Sequence, residues 1–208
     1  MNYKLIIFDF DGTLADSFPW LTRVVNTIAD KYRFKKLEPA EYDIIRGYEA
    51  DKILKYLGVP SWKMPLIANH VRILMAQDIQ QIPLFKGVDS LLRRLADKGM
   101  VTGVVSSNSL ANVRHILGPE NAGLIRYYEC GVSFFGKSSK LKKMLKKSGI
   151  APCDALFIGD ETRDIEAAKN AGMSSGAVTW GYNQAATLKT HTPDRIFSSI
   201  DDITAKAT

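Results

Sequence analysis

Two hydrophobic rhythms divide the chain. It opens on a continuous apolar run, Leu5-Ile6-Ile7-Phe8, closed by the turn pair Asp11-Gly12. A short unbroken run of this kind predicts a strand buried on both faces. After Ser17 the spacing changes: Pro19 suits a first helical turn, and Leu21, Val24, Val25, Ile28, Ala29 and Tyr32 recur at helical intervals. Further helical stretches are expected near residues 41–46, 50–57 and 62–79, punctuated by Pro39, Gly47, Gly58-Val59-Pro60 and Pro65. No run between Ser17 and Pro83 reads as a strand.

From Pro83 the rhythm alternates. Val88, Leu91, Leu92, Leu95 and Ala96 mark an amphipathic helix that Gly99 ends. A strand is predicted over 101–107, then a helix on Leu110, Val113, Ile116 and Leu117 that Gly118-Pro119 stops. A short strand near 127–133, a helix from about 138 to 148, a strand over 155–158, a helix over 163–171 and a strand over 175–180 follow, with a last short strand at 195–197. Alternation of this kind predicts an α/β core with a parallel sheet, right-handed crossovers and helices on both faces. The expected organisation is a core formed by residues 1–17 and 83–208, interrupted by an all-helical insert at 18–82.

Composition narrows the class. A chain of 208 residues with 46% apolar content can bury a substantial core, and its charges are mixed in sign. The N-terminus enters a strand without a charged-then-apolar leader, and no apolar run is long enough for a bilayer, so a cytoplasmic protein without membrane association is expected. Cys130 and Cys153 match no metal spacing and read as structural thiols of a reducing compartment. The formal charge of +6 comes largely from one cluster, Lys137, Lys140, Lys142, Lys143, Lys146 and Lys147. Around Leu141, Met144 and Leu145 the last five of these lysines read as the solvated side of a helix, and no aromatic platform accompanies them, which argues against nucleic acid.

The candidate chemistry falls at strand ends, where ligands bind in parallel sheets. Asp9 and Asp11 are two apart on a strand and share a side; packed together they stay ionised only beside a cation or a set of donors. An ordinary Asp-Gly turn is the plainer reading of such a pair alone. Gly12 allows a sharp turn that exposes backbone N–H groups. Ser106-Ser107-Asn108 end the second strand. Ser107 is the candidate phosphate donor or a helix N-cap, with Ser106 the second choice. Lys137 opens a helix after the third strand, a compact charge that can offset the Asp pair. Gly159-Asp160 end the fourth, and Asp164 lies one helical turn beyond Asp160.

DFDGTLADS resembles the first motif of the haloacid dehalogenase-like superfamily in its phosphatase form, and Ser107, Lys137 and Gly159-Asp160-Glu161-Thr162-Arg163-Asp164 match three further motifs in order. The nearest group in kind is phosphoglycolate phosphatase-like. This resemblance implies a Rossmann-like core, a helical cap inserted after the first motif, and Mg²⁺-dependent hydrolysis of a small-molecule phosphate ester by a monomer or homodimer. It implies Asp9 as nucleophile, Asp11 as acid and base, and Asp9, Asp11 (through its carbonyl), Asp160 and Asp164 around the metal. Gly12, Ser107, Asn108 and Lys137 would hold the phosphate, and Arg46, in the cap, would set specificity. Ser138-Ser139 depart from the turn that commonly follows the third-motif lysine, which leaves Lys140 as a less favoured substitute for Lys137, and Glu161 stands where many relatives have a small residue. A sugar-phosphate mutase or a non-catalytic phosphate-binding module are the alternatives. Asp11 argues against the second, which has no chemical need of it.

Overall fold

The structure, a computed structural model, describes residues 3–131 and 136–207. Strand β1 (Leu5–Phe8) leads through the Asp9–Ser17 turn into helix α1 (Phe18–Tyr32), followed by α2 (Tyr42–Arg46), α3 (Ala50–Leu57) and α4 (Met64–Gln77). The alternating half comprises α5 (Val88–Asp97), β2 (Val101–Val105), α6 (Leu110–Leu124), β3 (Tyr127–Glu129), α7 (Lys137–Ser148), β4 (Ala155–Gly159), α8 (Thr162–Ala171), β5 (Ser174–Val178), α9 (Ala185–Thr190), β6 (Arg195–Phe197) and α10 (Ile200–Ala207). The six strands form one parallel sheet in the order β3-β2-β1-β4-β5-β6. The chain thus has the expected Rossmann-like α/β architecture.

The unbroken apolar run of β1 follows from its central place. Alternate residues face opposite sides of the sheet. Ile6 and Phe8 enter a core shared with Val88, Leu91, Leu92 and Leu95 of α5 and Val113 and Leu117 of α6. Leu5 and Ile7 enter the opposite core with Leu141, Met144 and Leu145 of α7 and Ala167, Ala168 and Ala171 of α8. Helices α1–α4 carry a separate cluster around Ile28, Leu37, Leu57, Val59 and Ile67. Phe8 lies opposite Val104 on one side and Ile158 on the other, so Asp9, Ser106 and Asp160 leave the sheet at one edge.

Gly118-Pro119 kinks α6 rather than ending it: Gly118 adopts φ +72°, favourable only to glycine, and helix resumes through Leu124. Strand β3 stops at Glu129, short of the predicted end: Cys130 and Gly131 are not strand, and residues 132–135, which hold the last two predicted strand positions and Phe134-Phe135, lie outside the described residues. Helices α9 and α10 were not anticipated. Among the described residues no helix is long and apolar enough to cross a membrane.

Candidate active site

Four segments meet beyond the carboxyl ends of β1, β2 and β4. Asp9 follows β1, its backbone N–H donating to the Ile158 carbonyl at 2.8 Å. Lys137, at the first turn of α7, places Nζ 2.7 Å from Asp9 Oδ2 and 2.5 Å from Asp164 Oδ1. All three side chains are at most 5% exposed, so this lysine reached the site despite the absent turn after it. Asp164 Oδ2 accepts the Glu161 N–H at 3.1 Å, closing a capping box at the start of α8. Asp160 is fully buried; Thr13 Oγ1 donates to its Oδ1 at 2.8 Å and the Tyr182 N–H to its Oδ2 at 2.7 Å. Gly12 (φ +78°) and Gly181 press against that carboxylate, and a Cβ at either would collide with it.

Asp11 stands beside this group. Asn108 Nδ2 donates to its Oδ2 at 3.2 Å and Ser17 lies close enough to favour its charge. Its buried Oδ1 nevertheless has no well-formed hydrogen bond among the described residues. The cap of α6 is Ser109, whose hydroxyl accepts the Asn112 N–H at 3.1 Å. Ser107 is therefore not needed as a cap, and it borders a cavity shared with Asp9, Asp11 and Asn108. Ser106 is turned inward and accepts the Asn108 N–H at 3.0 Å.

The electrostatics are dominated by burial of like charges. Burial pushes the Asp9 carboxyl up to about 7 even with Lys137 beside it. Burial, then the charges of Glu161, Asp9 and Asp164, hold Asp160 well above its ordinary value. Burial would lower Lys137, but Asp164 and Asp9 keep it above its ordinary range and fully charged. Oxygens of Asp9, Asp160 and Asp164 lie within 4.8 Å of one another. Three clustered buried carboxylates, two of them paired to Lys137, with an orphaned oxygen on Asp11, form a hard-oxygen donor set. Such a set fits a small divalent cation. The Asp11 side chain is outside that cluster.

Arg46 does not line the cavity. Its guanidinium donates to the carbonyls of Gly181 at 2.9 Å and Tyr182 at 3.1 Å and lies over the Phe18 ring. The cations that border the cavity are Arg72, whose Nε donates to the Ser107 carbonyl at 2.6 Å, and Arg163, paired with Glu161 at 2.6 Å. Glu161 is thus a capping residue and counter-ion. Tyr182 also borders the cavity, its hydroxyl 2.9 Å from Ser17 Oγ; after the last strong strand, Trp180-Gly181-Tyr182-Asn183 reads in the sequence as a turn that could also border the cleft. Thr13 and Arg72 were missed because each sits in an ordinary-looking context. Only the Thr of DGT carried a signal.

A family model described as haloacid dehalogenase-like hydrolase matches residues 6–178. The phosphoglycolate phosphatase of Synechococcus elongatus is 30% identical over 201 residues, covering 96% of this chain and 95% of that protein. The phosphoglycolate phosphatase of Escherichia coli is 28% identical over 230 aligned positions, covering 95% and 90%. Among solved structures, a predicted phosphatase from Clostridium acetobutylicum superposes with a TM-score of 0.83 at 21% identity, covering 99% of this chain and 98% of that one. CbbY from Rhodobacter sphaeroides in complex with phosphate gives 0.69 at 20% identity, covering 97% and 96%. At those identities the structures support the fold. The chain belongs to the haloacid dehalogenase-like hydrolase family, as an enzyme of its phosphoglycolate phosphatase-like group.

Proposed function

We propose that the protein is a Mg²⁺-dependent phosphatase that hydrolyses a small-molecule phosphate monoester through an aspartyl-phosphate on Asp9. The observation that carries the reading is the Asp9–Lys137–Asp164 ion triad beside Asp160, in the order and register of the family's motifs. The relatives' activity supplies the reaction class.

In this reading an Asp9 oxygen attacks phosphorus, and the bond from phosphorus to the leaving oxygen breaks. Asp11 gives its proton to the departing alkoxide, for which burial suits it by raising its carboxyl above the ordinary value. Asp11 then takes a proton from the water that attacks the phosphorus of aspartyl-phosphate, and Asp9 is released with inorganic phosphate. Lys137, Ser107 and the N–H groups near Gly12 and Asn108 hold charge on the transferring group. Asp9, the Asp11 carbonyl and Asp160 would hold the metal, with Asp164 orienting Lys137 from outside. When bound, Mg²⁺ screens Asp9 from the anionic ester and offsets charge on the phosphoryl oxygens.

Residues 18–82 serve as a cap over the site: Arg72 and Trp20 border the same cavity as Asp9 and Asp11. Closure would exclude water from the acyl phosphate until hydrolysis is due. The free thiols Cys130 and Cys153 agree with a cytoplasmic location. The test is phosphate release from a panel of small esters with Mg²⁺ and with chelator. Turnover should require the metal and vanish in Asp9→Asn; full turnover in that variant would overturn the mechanism.

A further inference from the structure

The cavity over Asp9 and Asp11 has a volume of about 300 Å³ and continues between helices α1, α3 and α4. Its two ends differ in chemistry. Asp9, Asp11, Ser107, Asn108, Glu161 and Arg163 form the floor at the strand ends. Every lining side chain from residues 18–82 is apolar except Arg72. Arg72 is tethered to the floor by its hydrogen bond to the Ser107 carbonyl. Above it stand Val25, Ile53, Leu54, Met64, Ala68 and Val71, only part-buried although they belong to or adjoin the cluster of α1–α4.

A polar leaving group carried past Arg72 into those walls would lose its hydration and gain no partner. An apolar group would be stabilised there by release of water. An apolar cavity of about 150 Å³ takes benzene, so this one has room for on the order of ten carbons.

We infer that the enzyme prefers phosphate monoesters whose leaving group is an uncharged hydrocarbon chain or ring, with the phosphate on the carboxylate floor and the hydrocarbon among α1, α3 and α4. The inference rests on the phosphatase reading of the same site. It departs from the substrate named for the relatives, whose second functional group is a carboxylate.

The test compares kcat/KM of the full chain with Mg²⁺ for straight-chain alkyl phosphates from ethyl to octyl, and for phosphoglycolate. The expected gain is about four-fold per methylene until the cavity fills, the scale of burying one CH₂. Octyl phosphate should exceed phosphoglycolate by about a hundred-fold or more on the same scale. A flat series, or phosphoglycolate preferred, would overturn the inference. Ala68→Phe, which fills the cavity, should lower the octyl-to-ethyl ratio more than ten-fold; an unchanged ratio counts against the inference. If no ester is hydrolysed, the phosphatase reading fails by itself. Calorimetry with octyl and ethyl phosphonate then decides the inference: selective octyl binding supports it, and equal or absent binding overturns it.

Discussion

Arg46 and Gly181 are 135 residues apart, yet the guanidinium donates to the Gly181 carbonyl at 2.9 Å and to that of Tyr182 at 3.1 Å. The same two residues wrap Asp160, Gly181 by close approach and Tyr182 by its N–H. Arg46 is therefore a strut under the carboxylate, linking α2 to the loop after β5. Arg46→Ala should cost about 1–3 kcal/mol of stability, the scale of hydrogen bonds from a charged donor. It should lower activity alike on phosphoglycolate and an aryl phosphate. Thermal melts with parallel kinetics check this; a KM rise confined to phosphoglycolate would restore the specificity role expected from the sequence.

Gly12 and Gly58 separate strain from collision. Both adopt positive φ, +78° and +68°, but a Cβ at Gly58 meets open space and one at Gly12 meets Asp160 and Tyr182. Gly58→Ala should lose only about 1–2 kcal/mol of stability, the left-handed penalty, with activity retained. Gly12→Ala should lose more and, by displacing the carboxylate, cost about a hundred-fold or more in turnover. Equal phenotypes in unfolding and kinetics would contradict this account.

Asp11→Asn removes the proton donor while leaving Asp9 and Lys137 paired. The loss should be about 10²–10⁴-fold for an alkyl phosphate, whose alkoxide needs a proton, and much smaller for a nitrophenyl ester. A plot of rate against leaving-group pKa measures it. Equal losses on both esters would remove Asp11 from the acid role.

Glu129, at the end of β3 with its side chain 6% exposed, receives Lys147 at 2.6 Å, Lys143 at 3.1 Å and Lys140 at 3.5 Å. The lysine-rich side of α7 is thus partly a counter-charge and not merely a solvated face. Burial would raise the Glu129 carboxyl, but Lys147 and Lys143 hold it below its ordinary 4.5. A lowered folded value means stability present above about pH 4.5 and lost as pH falls through the folded value. Glu129→Gln should cost about 1–3 kcal/mol at pH 7. The gap from the parent should close on acidification below that window, as followed by urea midpoints. A pH-independent gap would assign the loss to packing.

Cys130 and Cys153 should differ in reactivity. Burial, with the Glu129 charge behind it, pushes the Cys130 thiol up to about 12, whereas Cys153 is exposed. Mild alkylation at pH 8 should label Cys153 alone, and Cys130 only after denaturation, as read by peptide mass. Fast labelling of both in the folded protein would refute it.

The sheet was legible because β1 and β4 carry apolar runs that a two-sided core explains, and β1, β2 and β4 each lead into a polar group. Helices α9 and α10 escaped notice because their few apolar anchors, Leu188, Ile200 and Ile203, are too sparse to show a period. The wall of the cavity was hidden for a different reason. Val25, Leu54 and Val71 recur at the helical spacing that equally describes a filled core, and periodicity does not distinguish packing from a void. Arg46 drew attention as a cation at a helix break, while Arg72, inside a regular helix, gave no such cue.

The central place of β1 bears on synthesis of the chain. Leu5–Phe8 leaves the ribosome well before its sheet partners, which begin at Val101 and Ala155. At about 5–20 residues per second, the most apolar strand waits on the order of ten seconds for its second neighbour. A nascent chain stalled before Ala155 would carry an open, aggregation-prone edge, the moment at which a chaperone has most to bind.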